Sequence, residues 1–184
     1  MHKNNHMNLW HDIPLGDDAP EEINVIIETS DGSSNKYEID KETGLIRLDR
    51  ANYSGIPFPF NYGFVPQTYW HDGDAVDVVL LTTFPIPSGI LVPARPIALM
   101  EMNDTGEDDA KIICVPVEDK WWDDVQDLKD LNQHMVKEIK NFFESYKALK
   151  SKPAQVIVGE FKNRETAFAA IKEGSKLYQE KFKK

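Results

Sequence analysis

The chain is short of cysteine and of long apolar stretches, and each shortage excludes a class of protein. Cys114 is the single cysteine, so no disulfide can form within the chain, as is usual in a reducing compartment. No run approaches the ~20 apolar residues that a membrane span needs. Residues 1–10 contain no apolar stretch of signal-peptide length. We therefore expect a cytoplasmic protein without membrane contact.

Positive charge is also scarce. The chain has 21 Lys and Arg against 31 Asp and Glu, a net charge of −10 at pH 7. This excess of negative charge disfavours nucleic acid and anionic membranes as partners, although metal ions can let an acidic site bind an anion. The length of 184 residues suits one domain with its own core. We predict a single domain over residues 1–184, in which residues 1–20 form an N-terminal arm.

Helical periodicity is missing from the first two thirds of the chain. Short β-branched or alternating segments there, bounded by turn residues, predict strands at 23–29, 36–40, 45–50, 76–83, 90–102 and 111–117. Residues 55–66 hold three prolines and two glycines among many aromatics, which predicts an irregular segment.

The last third of the chain has a different pattern. Apolar residues spaced three or four apart predict a helix over 130–149, and residues 154–161 predict a strand. Asn163 can cap a final helix. Short strands followed by two helices predict an α+β protein, mainly β, in which helices pack outside a small closed or strongly curved sheet.

Three carboxylates, Asp72, Asp74 and Asp77, stand within six residues at the start of the strand predicted over 76–83. Carboxylates this close repel one another, and burial penalises their charge further. Side chains alternate along a strand, so the three converge only if the chain turns near Gly73 before the strand begins. The turn is therefore either solvated or occupied by a cation.

An EF-hand calcium loop does not fit this turn. Counting from Asp72, the fifth position holds Val76 and the sixth holds Asp77, where an EF-hand needs an oxygen ligand and a glycine. A second loop between strands carries Asp104, Glu107, Asp108 and Asp109. Two acidic loops at strand ends predict a hard-cation site with oxygen ligands suited to Mg²⁺.

Cations and phenols accompany these carboxylates at Lys36, Arg50, Tyr62, Tyr146 and Lys147. Lysine and arginine bind phosphoryl oxygens, and carboxylates hold the metal in metal-assisted phosphoryl transfer. Each residue alone also has a structural interpretation, since the lysines could be solvated charges and Tyr146 could belong to the buried face of a helix. The combination is what favours phosphoryl transfer.

The order of the motifs resembles that of the family I soluble inorganic pyrophosphatases, in particular the bacterial type. The segment 72-DGDAVD-77 matches the family signature D-[GN]-D-P-x-D. The other matching segments are 36-KYEIDKETGLIRLDR-50, 57-PFPFNYGFVP-66, 104-DTGEDDAK-111 and 142-FFESYK-147. The resemblance implies an OB-like five-stranded β-barrel with two flanking helices, Mg²⁺-dependent hydrolysis of pyrophosphate to two orthophosphates, and a homohexamer.

The resemblance also implies roles for individual residues. The metal ligands would be Asp72, Asp77 and Asp109 for the tightest ion, with Asp104, Glu28 and Glu38 serving further ions. Asp74 would be the general base, and Tyr62 would orient the attacking water and line the substrate. The remaining substrate-binding residues would be Lys36, Arg50, Lys111, Tyr146 and Lys147. Three to four Mg²⁺ ions are implied, with Mn²⁺ or Zn²⁺ as possible substitutes.

The net charge of the proposed site residues supports this assignment. Two other residues depart from the family pattern. The proposed carboxylates and cations leave a net charge of about −3, and pyrophosphate adds a similar amount, so several divalent ions are needed for neutrality. Phe58 stands where the family usually has tyrosine, and Ala75 replaces the usual proline. Loss of one phenolic hydrogen bond predicts tuning rather than inactivity.

Two other functions compete with this one. A broader phosphoanhydride hydrolase would act on tripolyphosphate or nucleotides, but we find no Gly-rich phosphate loop and no base-stacking platform. A non-catalytic module that binds divalent cations would keep the acidic loops. It would have no need for the cations and phenols that accompany them.

Overall fold

The computed structural model describes residues 7–151 and 155–183. The first six residues of the predicted arm, and the first residue of the strand predicted over 154–161, lie outside these ranges. The strands are β1 (Ile23–Thr29), β2 (Asn35–Ile39), β3 (Ile46–Ala51), β4 (Asn61–Phe64), β5 (Asp77–Leu80), β6 (Leu91–Asp104), β7 (Glu107–Asp108), β8 (Lys111–Pro116) and β9 (Val156–Asn163). The α-helices are α1 (Gln133–Ser145) and α2 (Arg164–Phe182).

Five strands close into a barrel. The antiparallel partners run from β1 to β4 to β5, β5 pairs parallel with β8, and β8 pairs with β6, which returns to β1. Strands β7 and β9 pair with the far half of β6, and β2 and β3 form a separate two-stranded sheet. The barrel and its two helices confirm the fold predicted from the sequence.

Alternate residues of the barrel strands fill its interior, as the two-residue period of a strand requires. Val25, Ile27, Val78, Leu80 and Cys114 all belong to this cluster. Burying each large apolar side chain contributes roughly 1.5–3 kcal/mol. Cys114 is a free, buried thiol, as its apolar neighbours in the sequence predict.

Aromatic side chains fill the space between the barrel and α1. Phe58 and Phe60 pack against Phe142 and Phe143, with ring centroids 4.7 to 5.5 Å apart. Tyr62 and Tyr146 belong to the same cluster. This packing carries the end of α1 to the mouth of the barrel, where several polar side chains meet.

The N-terminal segment packs on the barrel and α2. Trp10 is buried, and its indole Nε1 donates to the carbonyl of Thr68 at 2.8 Å. His11 stacks on Trp10, and its Nδ1 lies 2.7 Å from the hydroxyl of Tyr178 on α2. The described part of the predicted arm is therefore attached to the barrel.

The helix predicted over 130–149 is shorter in the structure. Asn132 caps α1 by accepting from the N–H of His134 at 2.8 Å, so Leu131 lies before the helix. After Ser145 the backbone continues in tighter turns, and Leu149 is exposed. The predicted cap of α2 is confirmed, because the Asn163 side chain accepts from the N–H of Thr166 at 3.2 Å. Within the described residues, neither helix is long and apolar enough to cross a membrane.

The prediction that residues 55–66 are irregular is wrong for Asn61–Phe64, which form β4. The prolines of this segment lie on either side of β4, so they do not interrupt its hydrogen bonds. Gly63 permits the close pairing with β1, since a Cβ at this position would lie 2.0 Å from the carbonyl oxygen of Ile26. A fully buried strand of four residues therefore lies between segments that have no regular structure.

Candidate active site

The parallel pairing of β5 with β8 brings three carboxylates together at one end of the barrel. Asp77 opens β5 and lies opposite Lys111, which opens β8. Asp109 lies two residues before Lys111, and Asp72 lies in the turn before β5. Gly73 has φ +92°, which confirms the turn predicted there. Oxygens of Asp72, Asp77 and Asp109 all lie within 4.8 Å of one another.

Lys111 is the buried cation of this cluster. Only 2% of its side chain is exposed, and its ammonium donates to Asp77 at 2.5 Å and also to Asp109. Burial alone would lower the pKa of Lys111, but the charges of the two carboxylates outweigh it and hold the pKa well above its usual range. Lys111 therefore stays charged at any physiological pH.

One buried lysine does not neutralise all the carboxylates around it. Burial, reinforced by the charge of Asp77, raises the pKa of Asp109 to about 7 in spite of Lys111. Burial and the charge of Asp77 raise the pKa of Glu28 to about 8, and burial also raises the pKa of Asp72. These shifts mean that negative charge here is costly, so a bound cation would be stabilised strongly.

Tyr62 on β4 fixes the orientation of Asp77. Its hydroxyl donates to Asp77 Oδ2 at 2.6 Å. Burial, together with the charge of Asp77, raises the pKa of the Tyr62 phenol well above its usual range. Tyr62 therefore remains a protonated donor and leaves the other carboxylate oxygen of Asp77 free to act as a ligand.

The hairpin formed by β2 and β3 contributes the next group. Lys36 and Arg50 are opposite each other in its register. The carboxylate of Asp49 forms an ion pair with Arg50, and Oδ2 of Asp49 lies 3.6 Å from Lys36 Nζ. Lys36 also lies 3.3 Å from Glu38. Burial would lower the pKa of Lys36, but the charges of Asp77 and Glu38 raise it overall, so Lys36 is also a permanent cation.

The end of α1 contributes the last group. Lys147 donates to Asp104, and its ammonium lies 5.1 Å from the ring centroid of Tyr146. Burial would raise the pKa of Asp104, but the hydrogen bond and the charge of Lys147 lower it overall. Arg50 reaches towards the same ring, 6.0 Å from its centroid. Among the described residues, the buried Nε of Arg50 has no hydrogen-bond partner, so a donor is left for an anion.

Two adjacent cavities of about 500 and 210 Å³ share Lys36, Tyr62, Asp74 and Asp77 in their walls. Twelve of the thirteen residues predicted from the sequence line one or both, and the exception is Arg50. The larger cavity adds Glu28 and Glu38, and the smaller adds Asp72, Asp104, Asp109, Lys111, Tyr146 and Lys147. The structure therefore brings the predicted site together, with Arg50 beside it.

The donor set suits a hard divalent cation. Among the described residues, the cluster with ligand spacing consists of carboxylates only, without histidine or cysteine. Oxygen ligands of this kind favour Mg²⁺ or Mn²⁺ over metals that prefer nitrogen or sulfur. The raised pKa values of Asp72 and Asp109 are consistent with such an ion, because metal binding would stabilise their ionised forms.

Comparisons with known proteins show which family the chain belongs to. The family model "Inorganic pyrophosphatase" matches residues 25–179. The chain belongs to the inorganic pyrophosphatase family. It is 44% identical to soluble inorganic pyrophosphatase 1 of Arabidopsis thaliana over 171 residues, which are 93% of this chain and 80% of that protein. It is 42% identical to the inorganic pyrophosphatase of Haloferax volcanii over 179 residues, 96% of this chain and 99% of the other.

A solved structure of the family agrees in fold. The inorganic pyrophosphatase of Thermus thermophilus superposes with a TM-score of 0.91 at 38% identity, covering 94% of this chain and 99% of that one. The sequence resemblance to this family is thereby confirmed.

Sequence reasoning missed several residues of the pyrophosphatase site. Asp49 pairs with Lys36 and with Arg50, and Lys41 pairs with Asp74. Trp10, in the N-terminal segment, lines the larger cavity. Asp49 lies in the family motif over residues 36–50, directly before Arg50, so the sequence could have indicated that it belongs to the site. The contacts of Lys41 and Trp10 depend on how distant segments pack, and no local pattern reveals them.

Proposed function

We propose that this chain hydrolyses inorganic pyrophosphate to two orthophosphates in a reaction that depends on Mg²⁺. The observation that carries the proposal is the group of Asp72, Asp77 and Asp109 at the mouth of the barrel, surrounded by cations that suit phosphate. Membership of the pyrophosphatase family supports the same reaction. A module that only binds cations would not need these lysines.

The proposed metal ligands are Asp72, Asp77 and Asp109, with Asp104, Glu28 and Glu38 serving further ions. Bound divalent cations would neutralise the carboxylates and lower the pKa of a nearby water from 15.7 towards about 7. Asp74, which lies between two of these ligands in the chain, would accept the proton of the attacking water. Tyr62 would hold Asp77 in place through its 2.6 Å hydrogen bond.

The cations would neutralise charge on the phosphates. Lys111 has three N–H donors, of which Asp77 and Asp109 occupy two, so one remains for a phosphate oxygen. Lys36 and Arg50 would bind from the hairpin, and Tyr146 and Lys147 from the end of α1. Positive charge fixed on three sides of the substrate stabilises the charge that develops on the leaving phosphate.

We also propose a homohexamer located in the cytoplasm. The hexamer is the assembly implied by the resemblance to the short bacterial members, and the chain matches the length of the Thermus thermophilus chain, of which it covers 99%. Light scattering should then give a mass six times that of the chain. The free, buried Cys114 is compatible with the reducing conditions of the cytoplasm.

The reaction is tested by measuring phosphate release from pyrophosphate with the purified full chain. We expect release with Mg²⁺, loss of release with EDTA, and recovery when Mg²⁺ is added in excess. ATP and tripolyphosphate serve as parallel substrates, and we expect both to be slower than pyrophosphate. Absence of release from pyrophosphate by folded protein that still binds Mg²⁺ would refute the proposed reaction.

A further inference from the structure

The β2–β3 hairpin is not part of the barrel, yet it supplies three residues of the candidate site. Lys36, Glu38 and Arg50 all lie on its two strands. The hairpin is a sheet of its own, so its position against the barrel depends on contacts between side chains and loops. Those contacts therefore set the distance between its cations and the carboxylates of Asp72, Asp77 and Asp109.

The base of the hairpin is attached to β1. The N–H of Tyr37 donates to Thr29 Oγ1 at 3.0 Å, and the N–H of Ile39 donates to Glu28 Oε1 at 2.7 Å. Beyond Ile39, the hydrogen bonds and ion pairs that join the described hairpin to the barrel are those of Lys41. Lys41 thus occupies the position at which the tip could be fastened or released.

Lys41 reaches the turn that leads into β5. Its ammonium pairs with the carboxylate of Asp74 and donates to the carbonyl of Gly73 at 3.3 Å. The pair joins segments that are more than thirty residues apart in the chain. The same turn carries Asp72 and Asp74, so the contact links the hairpin directly to the metal and base positions of the proposed site.

The turn that carries Lys41 is closed by hydrogen bonds of its own. Asp40 accepts from both the N–H and the hydroxyl of Thr43, each at 2.8 Å. Gly44 has φ +71°, and a Cβ there would lie 2.7 Å from Asn8 Cα, so the tip lies directly against the N-terminal segment. Lys41 is therefore presented by a defined turn.

Trp10 lies next to this contact. The Lys41 ammonium is 5.9 Å from the centroid of the Trp10 ring, in the range of a cation–π interaction. Trp10 is fixed by its hydrogen bond to Thr68 and lines the larger cavity together with Lys41 and Asp74. The described N-terminal segment, the hairpin and the β5 turn thus meet at one lysine.

We propose that Lys41 is a positioning residue that fastens the tip of the β2–β3 hairpin to the Asp72–Asp77 turn and so holds Lys36 and Arg50 at substrate distance. Its effect on catalysis rests on the proposed pyrophosphatase function. Lys41 and Asp74 are 53% and 52% exposed, so the pair adds little to global stability. A weak contact still affects local opening at the tip of the hairpin, because among the described residues beyond Ile39 it is Lys41 that makes the hydrogen bond and the ion pair to the barrel.

The test compares Lys41→Met with Lys41→Arg and with the control Lys120→Met in the full chain. Lys120 forms an exposed pair with Asp123, away from the cavities. We expect Lys41→Met to raise KM for Mg-pyrophosphate about fivefold with little change in kcat. Lys41→Arg should have a KM close to that of wild type, because the arginine guanidinium can contact both a carboxylate and an indole. The control should match wild type.

A second measurement does not depend on catalysis. Amide hydrogen exchange in residues 35–51 should be about fivefold faster in Lys41→Met than in wild type, while the barrel strands exchange at unchanged rates. Unchanged exchange in the hairpin would overturn the proposal, even in a chain without pyrophosphatase activity. Faster exchange with unchanged KM in an active enzyme would overturn its catalytic part. Loss of kcat at constant KM would also overturn it, since Lys41 would then act on the reacting groups.

Discussion

The barrel and the β2–β3 hairpin each supply a lysine to the candidate site, and the two lysines have different surroundings. Lys111 on the barrel is 2% exposed and lies between Asp77 and Asp109. Lys36 on the hairpin is 23% exposed, and its partners Glu38 and Asp49 lie at 3.3 and 3.6 Å. The barrel half is therefore fixed by burial, whereas the hairpin half keeps contact with solvent.

This difference in burial indicates different roles for the barrel and the hairpin. Carboxylates that hold metals need fixed geometry, and strands β5 and β8 provide it because their parallel pairing determines the spacing of Asp77 and Lys111. Cations that bind an incoming anion need access to it, and the half-exposed hairpin provides that access. Asp74 lies where the halves meet, since it belongs to the β5 turn and pairs with Lys41 of the hairpin.

The largest expected effect follows from changing this meeting point. Asp74→Asn removes the proposed general base and keeps the size of the side chain, so kcat should fall by about 10²–10⁴. Binding of Mg²⁺, measured by titration calorimetry, should weaken only modestly, because Asp74 is not one of the three clustered ligands.

Asp123→Asn is the matched control, since Asp123 is an exposed carboxylate that pairs with Lys120 and lines neither of the two cavities. We expect its kcat to equal that of wild type. If Asp74→Asn lost Mg²⁺ affinity as severely as turnover, Asp74 would be a metal ligand instead of the base.

Much of the barrel half could be predicted from the sequence because its signals are local. Asp72, Asp74 and Asp77 lie around one turn, and the apolar run that begins at Val76 marks the strand that follows the turn. The family motifs extended this to Lys111 and Asp109. Twelve of the thirteen predicted residues consequently line the two cavities.

The hairpin half was less predictable because its arrangement depends on packing between distant segments. The sequence places Lys36 and Arg50 on strands but does not say that Arg50 lies beside the cavities, bonded to Asp49. One strand of the barrel was also missed. The prolines around β4 made its segment look irregular, and its pairing with β1 depends on the absence of a side chain at Gly63. The early end of α1 has no clear signal, because the apolar spacing continues past Ser145.

The second prediction compares the two lysines directly. Lys111→Met should destabilise the metal-free protein by about 3–5 kcal/mol, because it leaves buried carboxylates without a cation. Lys36→Met should cost only about 1 kcal/mol, since its ion pairs are partly solvated. Urea unfolding in EDTA measures both free energies, and Lys120→Met is the control for the substitution itself.

For Lys36, the hairpin lysine, we expect a large effect on kinetics despite the small effect on stability. If Lys36 binds a phosphate, Lys36→Met should raise KM by about tenfold or more despite its small effect on stability. Equal losses of stability in the Lys36 and Lys111 variants would contradict the distinction between a buried and a solvated half.

The smallest expected effect is a dependence of stability on pH that belongs to the barrel half. Glu28 has a folded-state pKa of about 8, raised by burial and by the charge of Asp77, against 4.5 as its ordinary value. Protonated Glu28 is therefore favoured by folding. Its contribution is fully present below pH 4.5 and is lost as the pH rises through 8. Asp109, with a pKa of about 7, changes stability in the same direction.

In EDTA, the free energy of unfolding should accordingly fall between about pH 4.5 and pH 8, with Glu28 contributing about 1–3 kcal/mol. Glu28→Gln cannot ionise and should flatten part of this slope, whereas Glu144→Gln, which removes an exposed carboxylate paired with Lys140, should leave the slope unchanged. Urea unfolding across this pH range gives both curves. Saturating Mg²⁺ should also reduce the slope, because the metal competes with protons for the same oxygens. A slope that is identical in wild type and Glu28→Gln would mean that Glu28 ionises freely, and the barrel carboxylates would then be less confined than their burial implies.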